Sequence, residues 1–74
     1  MFIQFNVVID EGVVNRIHEY MAADIKQAFD LAYMIDNYDH TIAWNMTGYT
    51  PESFGWATKS WNKYAEKFTE EHFS

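Results

Sequence analysis

The sequence predicts an α+β fold in which a small antiparallel sheet of two or three strands packs against two helices, in the order ββαβα. Three observations favour this fold. The chain begins with an apolar run of period two, and two later segments carry apolar residues at helical spacing. A proline-containing helix start also precedes the second of these segments. The alternative is a mostly helical chain with one N-terminal strand.

The first strand is predicted over residues 2–9, because apolar and polar side chains alternate there and β-branched residues are frequent. One side of this strand carries four apolar residues: Ile3, Phe5, Val7 and Ile9. The next three residues, 10–12, are typical of a three-residue hairpin loop in which Gly12 adopts a positive φ.

Residues 13–22 fit two interpretations. As a strand, they present two sets of side chains: buried Val13, Ile17 and Met21, and outward-facing Val14, Arg16, His18 and Tyr20. Asn15 and Glu19 then fall on the buried side. As a helix, the same segment joins an apolar stripe that runs on to Ile35. Asp24 followed by Gln27 matches a capping box, which predicts a new helix start at Asp24 and favours the hairpin.

The first helix is predicted from Ile25 to about Asp36, with Ala28, Ala32 and Ile35 on its apolar stripe. A polar break at residues 37–40 follows. A third strand is expected over residues 41–47, with one shared face formed by Ile42, Trp44 and Met46.

The second helix is predicted from Thr50 to about Phe73. Thr50 is a suitable N-cap, Pro51 suits the first helical position, and Glu52 favours the positive end of the helix dipole. The residues at helical spacing that follow are Phe54, Ala57, Trp61, Tyr64, Ala65, Phe68 and His72. No repeat or linker interrupts the chain, so residues 1–74 are expected to form a single domain.

Composition limits the classes of function. With no cysteine, the chain has no disulfide, thiolate metal site or cysteine nucleophile. Aromatic residues make up 19% of the chain, which is more than one small core holds, and this favours a protein partner or a homodimer. The net charge is -6, with seven acids against two bases in residues 1–50. Such a charge repels nucleic acid and anionic membranes and attracts basic protein surfaces.

No catalytic, cofactor or metal site is predicted. Residues 18–22 begin like a zincin helix, but Ala22 stands where the second zinc ligand belongs. His40 lies near Asp36 and Asp39 in a segment better explained as a polar loop. There is no nucleophile elbow or phosphate-binding glycine loop, so we expect no enzyme. Without an apolar span or a signal sequence, a soluble cytoplasmic protein is expected.

Two surface features remain as hypotheses. A helical face with Trp56, Lys59, Lys63 and Lys67 is the kind of surface that binds single-stranded nucleic acid. The other feature is an acidic and aromatic surface that binds a protein, with spaced carboxylates that imitate a phosphate backbone. Its candidate partner-binding residues are Asp24, Asp30, Tyr33, Asp36, Tyr38, Asp39, Tyr49 and Trp56.

No family motif is recognised. In its overall composition alone, the chain resembles small phage-encoded proteins that bind and inhibit host machinery. This resemblance implies a non-enzymatic inhibitor or modulator of a host protein, acting in the host cytoplasm. Nucleic-acid binding and self-association are the alternatives.

Overall fold

The computed structural model describes residues 2–68. Three strands and one helix come first: β1 (Ile3–Asp10), β2 (Asn15–Ala22), α1 (Ile25–Asn37) and β3 (Thr41–Met46). They form an antiparallel sheet of order β2-β1-β3. The predicted α+β class, the hairpin, the first helix and the third strand are confirmed. The mostly helical alternative is wrong.

The hairpin loop is longer than predicted, and this exchanges the two faces on which the β2 side chains lie. Asp10 pairs with Asn15, so the loop has four residues, Glu11–Val14, in place of the predicted 10–12. Gly12 has a φ of 98°, as expected. Because side chains alternate along a strand, one extra residue in the loop moves every β2 side chain to the other face of the sheet. His18 and Tyr20 therefore share the helix-facing side of the sheet, opposite the predicted outward orientation.

A bulge in β3 explains a second difference. Trp44 and Met46 share the helix side of the sheet, as predicted. Val8 is paired with Ala43 and Ile9 with Thr41, so Ile42 is an extra residue in β3. Ile42 consequently packs on the other face of the sheet, and the prediction that it shares a face with Trp44 is wrong.

The predicted second helix is wrong over the described residues. Thr50 does cap a turn with Pro51 at its start, but only the short 3-10 turn Pro51–Phe54 follows. Gly55 ends this turn in the left-handed conformation, and hydrogen bonds to the preceding carbonyls close it. A second 3-10 turn spans Ala65–Phe68. Residues 69–73 of the predicted helix lie outside the described residues.

The chain between these two turns covers the outer edge of β3. Trp44 N–H donates to the Ser60 carbonyl at 3.2 Å, and Asn62 N–H donates to the Trp44 carbonyl at 2.9 Å. Trp61 thereby forms a parallel bridge with Trp44. A segment engaged in this pairing is extended, which is incompatible with a continuous helix.

The core lies between the sheet and α1. Phe5 and Trp44 are fully buried and meet edge to face, with ring centroids 5.7 Å apart. The helix contributes only Ala28, Ala32 and Ile35 as buried residues, and the two small side chains let it lie close to the sheet. On the other sheet face, a smaller cluster joins Val8, Ala43 and Ala65. Within residues 2–68, no helix is long and apolar enough to cross a membrane.

Candidate functional site

Helix α1 directs part of the predicted surface toward solvent. Its apolar stripe is turned to the sheet, so Asp30, Tyr33 and Met34 lie on the solvent side. Tyr33 and Met34 are 66% and 67% exposed. Asp30 makes only a long ion pair with Lys26, at 3.8 Å. The middle of the helix therefore presents two large side chains and a carboxylate that the fold leaves open to solvent.

The turn after the helix extends this surface. Tyr38 caps α1 by donating its N–H to the Ile35 carbonyl at 3.3 Å, and its ring is half-exposed. Asp39, the next residue, is also exposed. We call the exposed residues Asp30, Tyr33, Met34, Tyr38 and Asp39 the α1 face. Tyr33 borders a groove shared with Trp56, whereas Met34 and Tyr38 border a cleft shared with the hairpin, on the other flank of α1.

Asp24 holds the opposite end of the helix. Its carboxylate accepts a hydrogen bond from Gln27 N–H at 2.8 Å, and the Gln27 side chain accepts one from Ala23 N–H at 2.9 Å. The predicted helix start at Asp24 is therefore confirmed, although the Gln27 side chain bonds to the N–H of Ala23, whereas a capping box requires a bond to the N–H of Asp24. Asp24 is exposed, and its negative charge favours the N-terminal end of the helix dipole. It is nine residues from Tyr33, or about 13 Å along the helix, and so lies outside the α1 face.

Asp36 is engaged inside the fold. Its carboxylate accepts hydrogen bonds from Trp44 Nε1 at 3.1 Å, from Ser60 N and Oγ at 2.8 and 2.9 Å, and from Lys59 N at 2.8 Å. Burial alone would raise the pKa of Asp36, but these hydrogen bonds hold the pKa below its usual value. This carboxylate ties residues 59–60 to the helix and is poorly placed to contact a partner.

Tyr49 and Trp56 belong to an aromatic cluster on another flank of α1. Phe54 stacks on Trp56 at 4.7 Å and contacts Tyr49 at 5.6 Å, and Trp56 meets Phe29 edge to face at 5.5 Å. Trp56 is half-buried. A groove of about 440 Å³ is lined by α1 on one side and by residues 55–59 on the other, with Tyr33 and Trp56 on its walls. Trp56 is thus adjacent to the α1 face and partly committed to internal packing.

The proposed nucleic-acid face loses its geometric basis. Its spacing assumed a continuous helix, which the described residues do not form. Lys59 Nζ donates to the Asn37 side chain at 2.9 Å. Lys63 and Lys67 lie over the ring of Tyr64, with Nζ atoms 4.9 and 4.8 Å from its centroid. Trp56 therefore packs beside α1, while two of the three lysines surround a different aromatic ring.

A cleft of about 770 Å³ between α1 and the hairpin was not predicted. Its apolar lining residues are Val7, Ile9, Leu31, Met34 and Ile35. At its hairpin end, Glu11 contacts Arg16 Nε at 2.9 Å and His18 Nε2 at 2.8 Å. Sequence reasoning placed His18 on the outer side and so missed the cleft. The sequence did contain an indication of the correct orientation: Asn15 and Glu19 are polar, although the predicted orientation of β2 placed them on its buried face.

The polar side chains that line the cleft are Asp10, Glu11, His18, Tyr20, Tyr38, His40 and Thr41. Among them, Glu11 is paired with His18, and it also contacts Arg16 outside the lining. Residues 2–68 contain no group of three or more His, Asp or Glu side chains placed to hold a metal ion. In comparisons with family models, with curated proteins and with solved structures, the chain gives no match. The function of the chain must therefore be inferred from the geometry of its own residues.

Proposed function

We propose that this protein is a non-enzymatic protein-binding module and that the α1 face is its binding surface. The observation that carries the proposal is the exposure of Tyr33 and Met34 in the middle of α1. Packing against the sheet does not require either residue, because the buried stripe of α1 is complete without them. Large exposed side chains grouped on one surface are typical of interaction sites.

The residue types suit a binding surface. Tyrosine anchors protein interfaces because it contributes a large apolar area together with a hydroxyl group. Methionine adapts to partners of irregular shape. Burying one such side chain in a complex stabilises it by roughly 1.5–3 kcal/mol relative to leaving it exposed. Tyr33 and Met34 point about 100° apart around the helix, so a partner that contacts both must span the solvent side of α1.

Charge favours a basic partner. Residues 24–39 contain four aspartates and one lysine, and the whole chain carries a net charge of -6. Asp30 and Asp39 lie at the border of the α1 face, where carboxylates attract a basic surface and orient its approach. Since Asp36 is engaged inside the fold, the proposed surface is an aromatic patch bordered by acids, in place of a regular series of phosphate-like charges.

The partner that fits this surface is a protein with a basic groove, such as one that handles nucleic acid. Occupying the groove would block its normal ligand, so the protein would act as an inhibitor or modulator. The compositional resemblance to phage-encoded inhibitors supports the same role.

The test is capture of the partner with matched variants. The immobilised wild-type chain is compared with Tyr33→Ala, and with the double variant Asp30→Lys, Asp39→Lys, in lysate of the cell in which the protein occurs naturally. We expect both variants to capture less of one and the same protein than the wild-type chain does. The matched control is Tyr64→Ala, because Tyr64 is also exposed, at 50%, and its neighbour Ala65 packs on the sheet face opposite α1.

A captured protein that binds Tyr33→Ala and Tyr64→Ala equally well would contradict the proposal. Binding that is unchanged by the Asp30→Lys, Asp39→Lys variant and by added salt would remove its electrostatic part.

A further inference from the structure

Within residues 2–68, no strand pairs with the outer edge of β2. Asp10 N–H donates to the His40 carbonyl and the Gln4 carbonyl accepts from Thr47 N–H, so even-numbered residues of β1 point their backbone groups toward β3. Odd-numbered residues of β1 therefore bond to β2, and their partners there are residues 16, 18, 20 and 22. The backbone groups of Ile17, Glu19 and Met21 consequently point away from the sheet.

The two edges of the sheet are treated differently. The outer edge of β3 is covered by residues 60–62, whereas no described residue pairs with the outer edge of β2. Natural edge strands are usually shortened, bulged, interrupted by proline or protected by charged side chains, especially lysine, and of these devices β2 has only the charges of Arg16 and Glu19. β2 has eight residues in an unbroken register with β1 and contains no proline. The edge is therefore suited to accept another strand.

We propose that β2 pairs with β2 of a second copy of this chain, antiparallel and with His18 on the two-fold axis. A two-fold axis between antiparallel strands is perpendicular to the sheet, so residues that oppose each other must share a face. In β2, even-numbered side chains lie on one face and odd-numbered side chains on the other. The two copies must therefore pair even-numbered residues with even-numbered ones and odd-numbered residues with odd-numbered ones. Among such registers, those centred on His18 or on Glu19 pair the largest part of β2.

Side-chain chemistry selects between these two registers. Centring on Glu19 places two Glu19 carboxylates directly opposite each other, which is unfavourable. Centring on His18 places the two His18 side chains opposite each other, each in contact with the Glu11 of its own chain. It also places Arg16, which contacts Glu11 as well, opposite Tyr20 of the second copy, where a guanidinium can lie over a phenol ring. On the other face, Ile17 and Met21 of the two copies become diagonal neighbours, and both are exposed in the single chain.

The dimer would join two three-stranded sheets into one continuous sheet. Because the axis is perpendicular to the sheet, both α1 helices would lie on the same face. This inference does not depend on the proposed function, since it rests on the backbone edge of β2, whereas the α1 face consists of side chains of α1 and of the turn after it.

Cysteine scanning tests the register directly, because the natural chain has no cysteine. His18→Cys would place two Cα atoms about 4.5 Å apart across the axis, within the range of about 4.4–6.8 Å that disulfides span. Glu19→Cys and Ile17→Cys are the matched controls. Their equivalent Cα atoms would lie more than about 8 Å apart, which is too far for a disulfide.

We expect His18→Cys to form a disulfide-linked dimer under mild oxidation and the two controls to remain largely unlinked. We also expect the wild-type chain to double its mass with increasing concentration in sedimentation equilibrium. Preferential linkage through position 17 or 19 would overturn the register. A wild-type chain that stays monomeric at every concentration would overturn the dimer.

Discussion

Replacing Asp36 with alanine should destabilise the protein more than replacing any other aspartate of α1. The carboxylate joins α1 to β3 through Trp44 and to the chain that covers the β3 edge through Lys59 and Ser60. Its removal leaves four donor groups without their acceptor: Trp44 Nε1–H, the backbone N–H groups of Lys59 and Ser60, and the Ser60 hydroxyl. The Trp44 side chain is fully buried, so water does not readily replace the lost partner of its Nε1–H group.

The magnitude follows from these donors. Leaving one buried donor unsatisfied costs about 1–3 kcal/mol. The backbone donors of Lys59 and Ser60 are closer to solvent and add less, so we expect a total loss of about 3 kcal/mol. A chain of 74 residues has a free energy of unfolding of roughly 4–11 kcal/mol. Asp36→Ala should therefore remove between a quarter and most of the stability.

The assay is urea denaturation followed by far-ultraviolet circular dichroism. Asp36→Asn keeps an oxygen acceptor for Trp44 and should lose only about 1 kcal/mol. Asp30→Ala is the matched control, since its carboxylate is exposed and lies 3.8 Å from Lys26 Nζ. It should change the free energy of unfolding by less than about 0.5 kcal/mol.

Equal free energies of unfolding for Asp36→Ala and Asp30→Ala would refute this reasoning. They would mean that the hydrogen bonds of Asp36 contribute no more to the folded state than a solvated carboxylate does.

Two further predictions concern pH and the turn at Gly55. Because the folded-state pKa of Asp36 is lowered, its stabilisation is complete above the unfolded-state pKa of about 3.9 and is lost as the pH falls through the folded-state pKa. The difference in unfolding free energy between wild type and Asp36→Asn should therefore shrink below about pH 4, and a constant difference down to pH 2 would contradict the lowered pKa. Gly55→Ala should cost about 1–2 kcal/mol in urea denaturation, because Gly55 has a φ of 75° and open space around an added Cβ, so only backbone strain opposes the change. Gly55→Asn should cost less, and equal stability of Gly55→Ala and wild type would contradict the left-handed turn.

Local patterns in the sequence predict the first two-thirds of the fold. The alternation in β1 and the helix-start pattern at Asp24 act over a few residues, so they are visible in sequence alone. The face of β2 depends on whether the hairpin loop has three or four residues, a difference that loop composition does not decide. The error at residues 50–68 has a different origin. The helix start at Thr50 is real, but Gly55 stops it, and pairing with Trp44 holds the following residues extended.

The site was predictable to a similar extent. Helical periodicity places Asp30 and Tyr33 on the solvent side of α1, as the structure also does. The internal role of Asp36 was not predictable, because its partners Trp44, Lys59 and Ser60 are brought to it by tertiary structure. The cleft beside His18 was missed for the same reason as the face of β2.

The most direct test of the proposed binding surface is the affinity of the captured partner for three chains: wild type, Tyr33→Ala and Tyr64→Ala. Truncating a tyrosine anchor in the centre of an interface costs about 2 kcal/mol, which is roughly a 30-fold loss of affinity. We predict that loss for Tyr33→Ala and an unchanged affinity for Tyr64→Ala, with all three chains equally folded. Equal affinities for the three chains would contradict the proposal that the α1 face binds the partner.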